Sequence, residues 1–364
     1  MDEGLISEIE PLRRQIAANC HRSDARFAGS FSLCSLLLRM RDYFKWDRDL
    51  PPWAEVDSPE VLAWIEERER VWDEAADEEI AQLRWRGGEI DAFDSETINQ
   101  DIEPWGLSYG SGYAAFLKPS FFLAEVINHR QQGGFKVIYL GHELVRDLFT
   151  TPAQNLGGRI VARRRPLAAY LWDLILHAGG PRRQAVDLAL YEYGLERERM
   201  VGPSFNWTPR FEKLLDSEVE AFVWHEIGEA GDQAFPRDVW RALIGAFPHS
   251  RLELMARTLK DFLADTSEIG RLKFIIDSRR RASLAIYLAD LSSLTARLFP
   301  EIVKAYNLLI REGDWSVIEA ARCEGRRKAQ EMAREMVSLA SSVQERPDWV
   351  VRRVEERFYQ PLGL

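Results

Sequence analysis

The run from Phe211 to Glu229, FEKLLDSEVEAFVWHEIGE, constrains the fold most strongly because ionisable groups share the apolar face of a predicted helix. At about 100° per residue, Glu218, His225 and Glu229 lie on the same side as the run's large apolar residues. A buried, unpaired carboxylate costs several kcal/mol, so such groups are paired, protonated or bound to a metal. The run therefore predicts a site at a helix surface that faces the core.

A second predicted helix, PLAAYLWDLILHAGG, begins at Pro166 and carries a matching pair, Asp173 and His177. Its apolar residues lie on all sides, which predicts a buried helix. A histidine and a carboxylate four residues apart can offer two ligands from one helix to a metal ion. We therefore expect Asp173 and His177 to face Glu218, His225 and Glu229.

The five side chains together offer two imidazoles and three carboxylates. This donor set suits a transition metal, namely iron, manganese or zinc, better than calcium or magnesium. The same residues also fit a site without metal, in which Asp173 pairs with His177 and an arginine pairs with Glu218 or Glu229. The sequence leaves both interpretations open.

The segment His225 to Glu229, HEIGE, resembles the HExxH helix of zinc peptidases, with Glu229 in place of the second histidine. Over these five residues the resemblance implies that His225 binds metal and that Glu226 acts as a general base. Gly228 weakens the prediction of a helix here, because glycine inside a helix is less favourable than alanine by about 1 kcal/mol of helix stability.

A third candidate cluster follows the strand-like run FKVIYLG. His142 and Glu143 come directly after that run, and Asp147 lies four residues beyond Glu143. We expect these residues at a turn from a strand to a helix, where they would border a cleft.

The pattern of apolar and turn residues predicts a mainly α, multi-helical fold with a small β element near the middle of the chain. Three zones are distinguishable: a helical region at 1–104, a glycine-rich segment with short β runs at 105–165, and a helical region at 166–364. The glycine-rich sequence YGSGY lacks the GxxxxGK[ST] pattern of a phosphate-binding loop.

Negative charge is concentrated in residues 59–103, which hold fifteen Asp or Glu against four Arg, whereas the whole chain has a net charge of −10. A surface helix should begin at Ser58 and pack through Leu62, Ile65 and Trp72, with Trp64 on another side. Such acidity disfavours nucleic acid and anionic lipid as partners. It suits a solvated face or a protein partner with a basic surface.

No segment approaches the roughly 18 uncharged residues of a membrane span, and the first residues lack the pattern of a signal peptide. We therefore expect a cytoplasmic protein that does not enter a membrane. The function expected from these features is that of a metal-dependent protein with a buried His/carboxylate site, either redox or hydrolytic. The alternative is a helical interaction or scaffold protein that binds a protein or an anionic partner without catalysis.

Overall fold

A computed structural model of the chain describes residues 3–114, 117–195 and 208–364. Two compact units are distinguished, residues 1–131 with 135–173, and residues 132–134 with 174–364. Within the described ranges, no helix combines the length and the apolar character that crossing a membrane requires.

The first unit contains helices, a five-stranded sheet and most of the helix that follows the sheet. Its first helices are α1 (Glu3–Phe27), α2 (Leu33–Asp47), α3 (Ser58–Ala75) and α4 (Ser95–Ile102). The Ser32 side chain caps α2 by accepting from the Ser35 amide, and Asp94 caps α4 by accepting from the Thr97 amide. Helix α3 begins at Ser58 with proline in its first turn, as the sequence predicts.

A five-stranded sheet completes this unit and confirms the predicted β element near the middle of the chain. A short antiparallel hairpin comes first, with β1 (Leu83–Trp85) and β2 (Gly88–Ile90), inside the zone expected to be helical. The sheet comprises β3 (Leu107–Tyr113), β4 (Pro119–Gln132), β5 (Phe135–Arg146), β6 (Ala153–Leu156) and β7 (Arg159–Arg163), in the order β3-β4-β5-β7-β6. Strands β5 and β7 run parallel, with Val137 opposite Ile160. The fold is thus mainly α and not all-α.

Helix α5 (Arg164–His177) follows the sheet and belongs to the first unit as far as Asp173. The second unit is built from helices: α6 (Pro181–Glu192), α7 (Thr208–Gly231), α8 (Arg237–Ala246), α9 (Arg251–Thr266), α10 (Arg271–Asp277), α11 (Arg281–Asp290), α12 (Ser293–Leu298), α13 (Pro300–Glu312), α14 (Ser316–Ala340) and α15 (Pro347–Val354). The core is centred on α9, where Phe262 packs against Phe299 with ring centroids 5.0 Å apart.

The acidic segment differs from its prediction in one respect. Ile65 and Trp72 are buried as expected, but Leu62 is 55% exposed, and Trp64 is buried instead. The Trp64 indole packs edge-on against Tyr43 of α2 and donates from Nε1 to Asp47 at 2.9 Å. Because α3 packs against both α1 and α2, its buried face is wider than a single apolar stripe and is rotated toward Trp64.

Candidate metal centre

Two helices of the second unit, α7 and α9, face each other with matching pairs of polar side chains. His225 and Glu229 lie one turn apart on α7, and Asp261 and Asp265 lie one turn apart on α9. In the described part of the chain, one potential ligand atom each from His225, Glu229 and Asp261 lies within 4.8 Å of the others. These three residues form the candidate metal centre.

Gly228 explains why the two helices come so close. A Cβ atom at this position would lie 2.3 Å from the carbonyl oxygen of Ala264 on α9 and 2.9 Å from the Cα atom of Gly270. Only a residue without a side chain permits this approach. The glycine that weakens the helical pattern in the sequence is therefore what allows α7 to bring His225 and Glu229 to α9.

The imidazole of His225 is held from one side. Its Nδ1 atom lies 2.7 Å from Oδ1 of Asp265, a carboxylate that is 7% exposed, and its Nε2 atom lies 3.9 Å from Oδ1 of Asp261. Histidine ligands of metals commonly donate one ring N–H to a carboxylate, which orients the other nitrogen toward the ion. Asp265 and His225 have this arrangement, with Nε2 directed toward the remaining carboxylates.

A lysine is the resident cation beside this group. The Nζ atom of Lys260 lies 2.7 Å from Oε1 of Glu229 and 4.0 Å from the ring centroid of Trp240. An ammonium group over an indole face is stabilised by a cation–π interaction. A metal ion bound by Glu229 would therefore compete with Lys260 for this carboxylate.

The pKa values of the cluster record its concentrated negative charge. Burial would lower the pKa of His225, but the charge and hydrogen bond of Asp265, together with Asp261 and Glu226, raise that pKa to about 10. Burial and repulsion from Glu229 raise the pKa of Glu226 to about 7. Carboxylates packed this closely favour a cation between them.

Glu218 is buried, as predicted, but it does not belong to this group. Its Oε1 atom accepts hydrogen bonds from the Ser283 hydroxyl at 2.7 Å and from the Tyr193 hydroxyl at 3.3 Å. Burial raises the pKa of Glu218, while the Ser283 hydrogen bond and the charge of Arg271 oppose that increase. The two hydroxyl groups therefore satisfy Oε1 of Glu218, and the Ser283 contact joins α7 to α11. The Oε2 atom of Glu218 is buried without a hydrogen-bond partner among the described residues.

The expectation that Asp173 and His177 are buried is wrong. Both side chains are exposed, and neither belongs to the group formed by His225, Glu229 and Asp261. The buried stripe of α5 contains Leu167, Leu171 and Ile175, which recur every four residues. A position two residues beyond a member of this stripe is rotated by about 200° around the helix, so it lies on the opposite face.

The cluster of His142, Glu143 and Asp147 is also placed differently from its prediction. His142 and Glu143 lie within strand β5 and point to opposite sides of the sheet, His142 exposed and Glu143 buried. Glu143 accepts from Arg163 at 2.6 Å, whereas Asp147 accepts from the Phe121 and Phe149 amides. Glu143 and Asp147 are therefore buried and engaged within the first unit, and they do not lie at a turn from a strand to a helix.

Both parts of the chain match one protein family. Residues 11–163 match the N-terminal domain of the family of unknown function DUF6866, and residues 168–357 match its C-terminal domain. The chain belongs to this family. No curated protein and no solved structure matches it. The candidate metal centre lies entirely in the segment that matches the DUF6866 C-terminal domain.

Asp261 and Asp265 are the site residues that the sequence analysis missed. They are two ionisable residues four apart, as His225 and Glu229 are, but their helix, LMARTLKDFLADT, also carries Arg257 and Lys260. These cations make the pattern resemble an ordinary surface helix with ion pairs. Asp265 lies next to the buried Ala264 and Thr266, where a carboxylate needs a partner.

Proposed function

We propose that the second unit binds one divalent transition-metal ion, either iron, manganese or zinc, through Nε2 of His225 and the carboxylates of Glu229 and Asp261. The bound ion would support hydrolytic or redox chemistry. One imidazole with two carboxylates is a donor set that these metals accept. The sequence prediction also named Glu218, Asp173 and His177 as ligands. The proposal replaces these three with Asp261 as a ligand, and it adds Asp265 as the residue that orients His225.

The observation that carries this proposal is the pair formed by His225 and Asp265. Nδ1 of His225 meets the buried carboxylate of Asp265 at 2.7 Å. Because the raised pKa of His225 keeps the imidazole protonated at neutral pH, a metal ion would bind by displacing the proton on Nε2. Nε2 lies 3.9 Å from Oδ1 of Asp261, and one potential ligand atom each of His225, Glu229 and Asp261 lies within 4.8 Å of the others, so a small movement of the side chains would bring them to one ion. Orientation of a histidine by a carboxylate behind it is characteristic of metal sites.

The accessibility of the cluster supports chemistry in addition to binding. The side chain of Asp261 is 58% exposed and that of Glu229 is 25% exposed, so a bound ion would retain positions for water or a substrate. Glu226 lies one turn before Glu229, and no hydrogen bond or ion pair engages it within the described ranges. This carboxylate is the candidate general base for a hydrolytic reaction.

Elemental analysis of untagged protein, prepared separately with iron, manganese and zinc in the medium, tests the proposal. One equivalent of one metal is expected, together with its loss in His225→Ala and in Asp261→Asn while the circular dichroism spectrum is retained. His142→Ala is the matched control, because it removes an exposed histidine of the first unit. Absence of stoichiometric metal in all three preparations, or equal metal content in His225→Ala, would contradict the proposal.

The exposed face of α3 favours a second candidate function, binding of a protein with a basic surface. In the described chain, no ion pair engages five carboxylates on this helix, those of Glu66, Glu67, Glu69, Asp73 and Glu74. A row of unpaired charge attracts an oppositely charged partner in a salt-dependent manner. Titration with poly-lysine should show weaker binding after replacing these five residues by their amides, and equal binding would refute this second function.

A further inference from the structure

A cavity of about 180 Å³ lies in the first unit, between α2 and the first turns of α5. Its apolar wall includes Leu38, Leu148 and Ala169, and its polar wall includes Arg39 and the hydroxyl-bearing Tyr170. An apolar cavity of about 150 Å³ is large enough to hold a benzene ring. This cavity therefore has room for a small organic molecule with one polar end.

Arg39 places a positive charge at the polar wall of the cavity. Its guanidinium carbon lies 4.7 Å from the ring centroid of Phe31 and 4.9 Å from that of Phe149, so two cation–π contacts restrain the group. No hydrogen bond or ion pair to a described residue engages this guanidinium, and its Nε atom is buried without an acceptor. Burial lowers the pKa of Arg39 even though Asp42 and Asp173 lie nearby. Neither carboxylate forms an ion pair with this cation in the described part of the chain.

The nearby carboxylate of Asp42 is already engaged. It accepts from Nη2 of Arg146 at 2.8 Å, and Arg146 is buried with two further nitrogen atoms, Nε and Nη1, that lack acceptors. Asp42 therefore serves Arg146 and leaves the donors of Arg39 to the cavity. The carboxylates of Asp42 and Asp173 also border the cavity, and their charge disfavours a ligand with more than one negative charge.

We propose that this cavity binds a small monocarboxylic acid, with its carboxylate on Arg39 and a compact apolar body against Leu38, Leu148 and Ala169. A planar guanidinium matches a carboxylate through two parallel hydrogen bonds, and contact with the two neighbouring rings preorganises it for that interaction. The binding site lies within the first unit and is independent of the metal centre proposed for the second unit.

Benzoate is a suitable probe because its ring and single carboxylate match the cavity. Binding is measured by calorimetry and by the Nε–H resonances of ¹⁵N-arginine, with benzamide as the neutral analogue and inorganic phosphate as the multiply charged anion. We expect benzoate to bind and to shift the Arg39 resonance, benzamide and phosphate to bind at least about tenfold more weakly, and Arg39→Gln to lose at least about tenfold in affinity.

Arg41→Gln is the matched control, since Arg41 lies on the same helix and is exposed. Its affinity for benzoate should equal that of the unmodified protein. If Arg39→Gln does not fold, Ala169→Leu keeps the arginine and fills the cavity, and it should abolish binding. The proposal is overturned if benzoate fails to bind the unmodified protein, if benzamide or phosphate binds equally well, or if Arg39→Gln or Ala169→Leu retains full affinity.

Discussion

The carboxylate of Asp265 lies 2.7 Å from Nδ1 of His225. The contact is close to the position where Gly228 of α7 meets the backbone of Ala264 on α9. This contact determines which nitrogen of the imidazole faces the other carboxylates. It also connects the packing of the second unit to its candidate chemistry, since the residue that orients the histidine lies on a different helix. The orientation of Nε2 therefore depends on how closely the two helices pack.

Replacing Asp265 by asparagine should weaken metal binding by about 10- to 100-fold, because the histidine loses the carboxylate that orients it. Isothermal titration with Zn²⁺ or Mn²⁺ measures the change. The control is Asp238→Asn, which alters an exposed carboxylate on α8 and should leave the affinity unchanged. Unchanged affinity in Asp265→Asn would show that His225 is not held in this way in the metal-bound protein.

Replacing Lys260 by methionine should strengthen metal binding several-fold. The ammonium group is the cation that now pairs with Glu229, and its removal leaves the carboxylates of Glu229 and Asp261 unopposed. Methionine retains an apolar stem that can pack on Trp240. Competition with a chelator of known affinity measures the gain, and weaker binding in this variant would indicate that Lys260 supports the ligands and does not compete with the ion.

Replacing Gly228 by alanine should destabilise the second unit by about 1–3 kcal/mol, because the new methyl group meets the backbone of Ala264. Gly245→Ala is the matched control, since a Cβ atom at that exposed position of α8 meets nothing within 4 Å. Alanine there should be neutral or stabilising by about 0.5 kcal/mol. Urea unfolding monitored by circular dichroism measures both free energies, and equal effects would contradict the close approach at Gly228.

The features that were predictable from the sequence are those that depend on neighbours along the chain. The 3.6-residue period places His225 and Glu229 on one face of α7, and the turn and β-branched residues between 105 and 165 indicate the sheet. The partner of α7 was not predictable in this way. Asp173 with His177 and Asp261 with Asp265 have the same spacing, and only tertiary packing distinguishes them.

Two features make α9, and not α5, the partner of α7: which positions of each helix are buried, and the glycine at position 228. On α5, Asp173 lies on the exposed face of the helix. On α9, Asp265 lies between the buried Ala264 and Thr266. Helix propensity alone makes Gly228 unfavourable, because propensity describes an isolated helix. In the folded unit, the loss in propensity is offset by a backbone approach that any side chain would prevent.

The rotated face of α3 predicts a difference between two neighbouring residues. Ile65 is 8% exposed and Leu62 is 55% exposed, although the sequence pattern places both in one stripe. Ile65→Ala should therefore cost about 2–5 kcal/mol of unfolding free energy, whereas Leu62→Ala should change it by less than about 0.5 kcal/mol. Thermal and urea unfolding of the two variants measure the difference. A large loss of unfolding free energy in Leu62→Ala would show that Leu62 is buried, as the sequence pattern indicates.

His21 on α1 should make the first unit less stable in mild acid. Burial and the charge of Arg68 lower the pKa of His21 to about 4, against the opposing charge of Asp47, and Arg68 lies 3.3 Å from its Nε2 atom. An unfolded histidine titrates near 6.5. The folded state therefore binds fewer protons than the unfolded state between pH 6.5 and 4. Its stability is full above pH 6.5 and decreases as the pH falls toward 4.

The expected contribution of His21 over this interval is about 2 kcal/mol, since each unit of pKa difference corresponds to about 1.4 kcal/mol and the side chain is partly accessible. Urea unfolding at pH 7 and pH 4.5 should show a pH-dependent loss that is smaller by this amount in His21→Gln than in the unmodified protein. His142→Gln removes an exposed histidine and should leave the loss unchanged. If His21→Gln retained the full pH dependence, the acid sensitivity would arise from other groups, because glutamine occupies the same position beside Arg68 without taking up a proton.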